Sequence, residues 1–130
     1  MPSADHFPRV LCIACSPRVF DILDRALRYS QFHILSAGTR DSGVAICVAE
    51  AISVAVLDAE SIRGQECSVA KALKRARPKL PIILLEERQR SAKGLPAGVD
   101  AMIPVGAPEK LLGKIQELLL NATAKSRSAR

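Results

Sequence analysis

A chain of 130 residues, 48% hydrophobic but only 3% aromatic, can bury one core of Val, Ile, Leu and Ala without disulfides or a metal, and is too short for two. Its longest apolar runs, such as 51–57 and 81–85, fall far short of the roughly 18 residues a membrane-spanning helix takes, which argues against a membrane role. The formal charge is +6, and Lys125, Arg127 and Arg130 supply half of it, so the basic excess is weighted toward the C-terminal tail.

Residues 1–8 contain Asp5, His6 and two prolines and lack the basic start and apolar stretch of a secretory signal, so they read as an N-terminal extension of a cytoplasmic protein. Residues 9–15 predict a first strand through Val10, Leu11, Cys12 and Ile13. It ends at Ser16-Pro17, an N-cap followed by a proline at the first helical position. The helix from Pro17 to about Ser30 places Val19, Phe20, Leu23, Ala26 and Leu27 on one stripe. Residues 32–37 form a short second strand closed by Gly38. Thr39 or Asp41 can cap a second helix running to Glu50, with Val44, Ile46, Cys47 and Val48 as its buried surface.

Residues 52–57 are nearly all apolar, which predicts a central third strand, and they end in Asp58. A third helix over 68–77 is stopped by Pro78 and Pro81, and 81–85 (Pro-Ile-Ile-Leu-Leu) predict the fourth strand. Residues 86–95 are polar and support at most a weak helix before the break at 96–98. Residues 101–104 form a short fifth strand, and 108–120 a last helix carrying Leu111, Leu112, Ile115, Leu118 and Leu119. Residues 121–130 lack apolar periodicity and predict a frayed basic tail, which leaves 9–120 as the folded domain.

Strands alternating with helical segments predict an α/β domain: one doubly wound, five-stranded parallel sheet of order 2-1-3-4-5, with helices on both faces. In such sheets ligands and chemistry lie beyond the carboxyl ends of the strands, where the order reverses, here beside Cys15 and Asp58. Cys12 and Cys15 have the C-x-x-C spacing of a redox pair or a zinc half-site. Both fall in the predicted first strand, where residues three apart point to opposite faces, whereas redox pairs sit at a helix start. The expectation is therefore two small buried apolar side chains.

The order of elements, Asp58 closing the segment 52–58, and the fourth strand followed by Gly98-Val99-Asp100-Ala101 make the chain from Arg9 to about Leu120 resemble the receiver domain of bacterial response regulators, a flavodoxin-like fold. The resemblance implies a two-component (phosphorelay) signalling module whose partners are a sensor kinase or an output protein. It makes Asp58 the candidate phosphoacceptor. The family's two magnesium-binding acids after the first strand align with Ala14 and Cys15, neither of which offers the hard oxygen that magnesium prefers. Its hydroxyl-bearing residue after the fourth strand aligns with Glu86, followed by Glu87. Its lysine after the fifth strand aligns with Val105, followed by Gly106, and its aromatic switch position with Met102.

Exchanging a lysine for Val105 and setting Glu86 near Asp58 both disfavour a second anion there. Two like charges about 4 Å apart repel by about 1 kcal/mol in water and about 4 kcal/mol at an effective dielectric of 20. The reading that follows is a degenerate receiver, not an enzyme, with no cofactor, signalling by protein contact without phosphorylation. The alternative is an atypical phospho-accepting receiver that holds Mg2+ with Asp58 and Glu86 in a rearranged acidic site. Against it stands pairing of these acids with Arg63, Arg88 or Arg90, or their simple solvation.

By the same resemblance, the face built from the fourth helix, fifth strand and fifth helix is the expected contact and homodimer surface, with Met102, Pro104, Leu111, Leu118 and Leu119. Leu118, Leu119 and Leu120 are consecutive, so one helix cannot bury all three against one core. Arg63, Lys71, Lys74, Arg75, Arg77 and Lys79 form a basic sector that lacks interleaved aromatics, so nucleic acid is not the favoured partner. His6 and His33 lack ligand spacing, no glycine-rich phosphate loop occurs, and Ser36, Ser61 and Ser91 have no nucleophile-elbow context.

Overall fold

A computed structural model of the chain describes residues 7–87 and 94–128. In chain order it contains β1 (Arg9–Ile13), α1 (Pro17–Leu27), β2 (His33–Ala37), α2 (Arg40–Ala49), β3 (Val54–Asp58), α3 (Glu66–Ala76), β4 (Ile82–Glu86), β5 (Ala101–Pro104) and α4 (Pro108–Ser128). The strands form one parallel sheet in the order β2-β1-β3-β4-β5, as the alternation of elements predicts. Every pairing is in register, with Ile13 beside Leu57, Leu57 beside Leu84, and Glu86 beside Pro104.

The period-two alternation of a strand divides the core into two layers. Leu11, Ile13, Ala55, Leu57, Ile82 and Leu84 face α2 and α3, which lie side by side on one surface of the sheet. Val10, Cys12, Val54, Val56, Ile83 and Leu85 face α1 and α4 on the other. Because β1, β3 and β4 are covered on both sides, they read as continuous apolar runs rather than as an alternating pattern.

The helix starts follow local chemistry. Ser16 caps α1 with its Oγ accepting the Val19 amide at 3.2 Å, and Val19, Leu23 and Leu27 are the buried stripe. Thr39, not Asp41, caps α2, in a reciprocal capping box with Ser42. The buried surface of α2 also departs from expectation: Gly43 and Cys47 are buried, while Val48 is exposed. A Cβ on Gly43 would stand 2.9 Å from Ile13 Cδ1, so the missing side chain is what lets α2 lie close on β1. Arg77 ties α3 to the end of α2, donating to the carbonyls of Cys47 and Glu50 at 2.9 and 2.7 Å.

Several boundaries differ from the sequence reading. β1 stops at Ile13 instead of Cys15, because Ala14 turns out of the strand with a left-handed φ of 54°. The expected weak helix over 86–95 falls mostly on 88–93, outside the described residues; Glu86 belongs to β4 and Glu87 to a bend. The expected frayed tail is helical: α4 passes Leu120 and runs to Ser128, since Ala122, Ala124, Lys125 and Arg127 favour helix and neither Gly nor Pro stops it. Among the described residues no helix is long and apolar enough to cross a membrane.

Gly98, in the turn leading to β5, has a φ of +88°, and a Cβ there would meet the Ala70 Cβ of α3 at 3.0 Å. Gly98→Ala is therefore expected to cost about 2 kcal/mol in urea unfolding, from the left-handed backbone and the overpacked contact together.

Candidate functional site

The carboxyl ends of β1, β3 and β4 meet at Asp58, the last residue of β3, which is 1% exposed. A buried carboxylate needs donors, and this one has them from its own scaffold. Its Oδ2 accepts the Ser16 amide at 2.9 Å and the Ser61 hydroxyl at 3.0 Å; its Oδ1 accepts the Glu60 amide at 3.2 Å. The Asp58 carbonyl in turn accepts the amides of Ser61 and Ile62. Asp58 thus clamps the loop after β3 to the loop between β1 and α1. Among the described residues no Lys or Arg forms an ion pair with it.

The residues expected around Asp58 are not all gathered there. Ala14 lies half-buried against the core under α2 and α3, its amide donating to the Ala37 carbonyl at 2.8 Å. Glu86 closes β4, and its carbonyl accepts the Val105 amide at 2.8 Å. Glu87 is committed elsewhere, paired with Arg18 at the start of α1. Arg63 pairs with Glu60 at 2.6 Å rather than with Asp58 or Glu86, and Arg88 and Arg90 lie outside the described residues. Val105 is buried in the layer beneath α1 and α4.

Magnesium does not fit this donor set. Ala14 and Cys15 supply no oxygen side chain at the end of β1, Asp58 is buried with its carboxylate accepting three internal hydrogen bonds, and Glu87 pairs with Arg18. Among the described residues no group of three or more His, Cys, Asp or Glu side chains converges to hold a metal ion.

Cys12 and Cys15 require a correction. They are joined by a disulfide, with Cα atoms 6.1 Å apart. The expectation of two unconnected apolar side chains assumed that the strand extends through Cys15. The left-handed turn at Ala14 breaks the strand alternation and returns Cys15 to the face that Cys12 occupies. Cys47 is free and buried, and burial pushes its thiol pKa up; Cys67 is free and exposed.

On the expected contact surface, Leu111 is a core residue rather than an exposed one. Leu118 and Leu119 are half-buried against the layer under α1 and α4, and Leu120 alone of the three leucines stands out, at 70% exposure. Met102 is half-buried against the α2–α3 layer, and Pro104 is half-buried at the end of β5. Much of the basic sector is spent on structure. Lys74 bridges the Leu80 carbonyl and Asp100, and Arg77 holds the end of α2. His33 packs against Phe7.

No family model and no curated protein matches the chain. Solved structures do match. A CheY-like response regulator receiver domain protein from Methanospirillum hungatei JF-1 superposes with a TM-score of 0.77 at 23% identity, over 92% of this chain and 98% of that one. The chain has the receiver fold. A response regulator receiver domain protein from Clostridium thermocellum gives a TM-score of 0.76 at 14% identity, over 91% and 98% of the two chains. The N-terminal domain of a response regulator/sensory box/GGDEF 3-domain protein from Carboxydothermus hydrogenoformans gives 0.71 at 19%, over 91% and 98%. Within this receiver fold Asp58 ends β3 at the sheet's carboxyl rim, where the strand order reverses.

The sequence reading missed the partners of Asp58. Ser61 was legible in principle, since a Ser three residues after an Asp at a strand end is spaced for a local side-chain hydrogen bond. The Ser16 amide and the Arg18–Glu87 pair join segments distant in sequence and carried no local signal.

Proposed function

We propose that this chain is a receiver-like signalling module of two-component transduction that works by protein contact, without phosphorylation of Asp58 and without catalytic activity. The observation carrying this reading is the state of the Asp58 carboxylate: 1% exposed, with both oxygens engaged by Ser16, Glu60 and Ser61. Attack on phosphorus needs a free oxygen in line with the leaving group and a cation to offset the phosphoryl charge. Here the carboxylate is buried and accepts three internal hydrogen bonds, and Val105 stands where the resemblance implies a lysine.

Receiver domains are joined to other signalling domains, as in the three-domain response regulator/sensory box/GGDEF protein, so a sensor kinase or an output protein is the proposed partner, in the cytoplasm. The proposed contact face combines the accessible parts of β5 and the end of α4, including Pro104, Leu118, Leu119 and the protruding Leu120, and a homodimer would use the same face.

Incubation with acetyl phosphate and Mg2+, followed by intact mass measurement, tests the reading. The expected result is no mass addition to the native chain. A stable addition abolished by Asp58→Asn would establish the phospho-accepting alternative instead.

A further inference from the structure

We propose that Cys12 and Cys15 form a thiol–disulfide exchange site for a small thiol, and that its oxidation state sets the loop that delivers the Ser16 amide to Asp58. The two sulfurs are unequal. Cys12 is fully buried beneath α1, whereas Cys15 is half-buried and lines a cleft of about 460 Å³ with Pro17, Phe20, Asp21, Asp24 and Ser36. Cys15 also directly precedes the N-cap of α1, where the helix terminus favours a thiolate. One accessible and one buried sulfur are the attacking and resolving members that reversible exchange needs.

The chemistry closes without a further reagent. In oxidation, the Cys15 thiolate attacks one sulfur of a disulfide RSSR, forming a Cys15–SR bond and releasing RS−. The Cys12 thiol then attacks Cys15 Sγ and passes its proton to the second RS− as it leaves, while the first RS− takes up the proton released when Cys15 ionised, so that two RSH are produced per protein disulfide formed. Reduction is the reverse, with the incoming thiol entering through the cleft. Asp21 and Asp24 border that cleft, each paired with an arginine one helical turn on, Arg25 at 3.2 Å and Arg28 at 3.0 Å.

Coupling to Asp58 is through the backbone. Ala14, between the two cysteines, holds a left-handed φ of 54° that side-chain-bearing residues rarely adopt, and the disulfide spans it. Two residues on, the Ser16 amide donates to Asp58 at 2.9 Å. Opening the disulfide removes the covalent restraint on Ala14 and lets the loop, with its amide, move. This inference is independent of whether Asp58 is ever phosphorylated.

The full chain carrying Cys67→Ser, which removes the exposed free thiol, is to be equilibrated in graded ratios of reduced and oxidised dithiothreitol. One portion is quenched with acid, denatured, trapped with an alkylating agent and mapped by peptide mass, and a native portion is followed by amide NMR. The expected result is reversible loss of alkylation at Cys12 and Cys15 together under oxidising ratios, with the Ser16 and Glu60 amide resonances shifting between states. Cys15→Ser should show the reduced-state spectrum at every ratio. Alkylation of the pair at every ratio, protection at every ratio without unfolding, or an unmoved Ser16 amide would each overturn the proposal.

Discussion

Asp58→Ala is expected to lower the unfolding free energy by about 3 kcal/mol, read from urea denaturation at neutral pH. The substitution leaves the Ser16 and Glu60 amides and the Ser61 hydroxyl facing a buried space with no acceptor. Each abandoned buried donor costs about 1–3 kcal/mol, and bonds to a charged acceptor stand at the upper end of the net scale. Asp58→Asn keeps one oxygen acceptor and is expected to cost about 1–2 kcal/mol. The sign separates two pictures of the site. In a cluster of carboxylates awaiting a cation, neutralising one acid relieves repulsion and stabilises the fold. Here the carboxylate is the acceptor that binds two loops together, so neutralising it destabilises. A stabilised Asp58→Asn would contradict the clamp role.

The second large effect is expected one residue earlier. Leu57 has no exposed surface and lies between Ile13 of β1 and Leu84 of β4, in the layer under α2 and α3. Leu57→Ala removes buried methyl groups from a position held by strands on both sides, so the surroundings cannot collapse to fill the space. The expected loss is about 3 kcal/mol, within the range of about 2–5 for buried Leu→Ala changes. Leu120→Ala, at a residue that is 70% exposed, is the contrasting case, with an expected change within about 0.5 kcal/mol by the same denaturation curve. The pair also tests the proposed contact face: Leu120→Ala should weaken partner binding while leaving the fold intact.

The elements were legible because their signals are local. The runs at Val10–Ile13, Val54–Leu57 and Ile82–Leu85 are apolar without alternation, which only strands covered on both faces require, and Ser16-Pro17 marks a helix start on chemistry contained in two residues. The sheet order followed from the alternation of strands and helices together with the handedness of crossovers. The helix over 108–128 was misjudged at its end because low apolar periodicity was read as fraying, although its residues favour helix. Val48 was misplaced because periodicity alone does not fix the rotation of a short helix; the contact of Gly43 with Ile13 does.

What the amino-acid sequence determined by itself is the fold, since hydrophobic period is a property of the chain. What only the tertiary structure decided is what surrounds Asp58 and what becomes of the two cysteines. The first depends on an amide 42 residues away, and the second on a single left-handed residue that turns Cys15 back toward Cys12. Hydrogen bonds between distant segments and a single φ angle leave no period in a sequence; they exist only once the sheet has brought β1 beside β3.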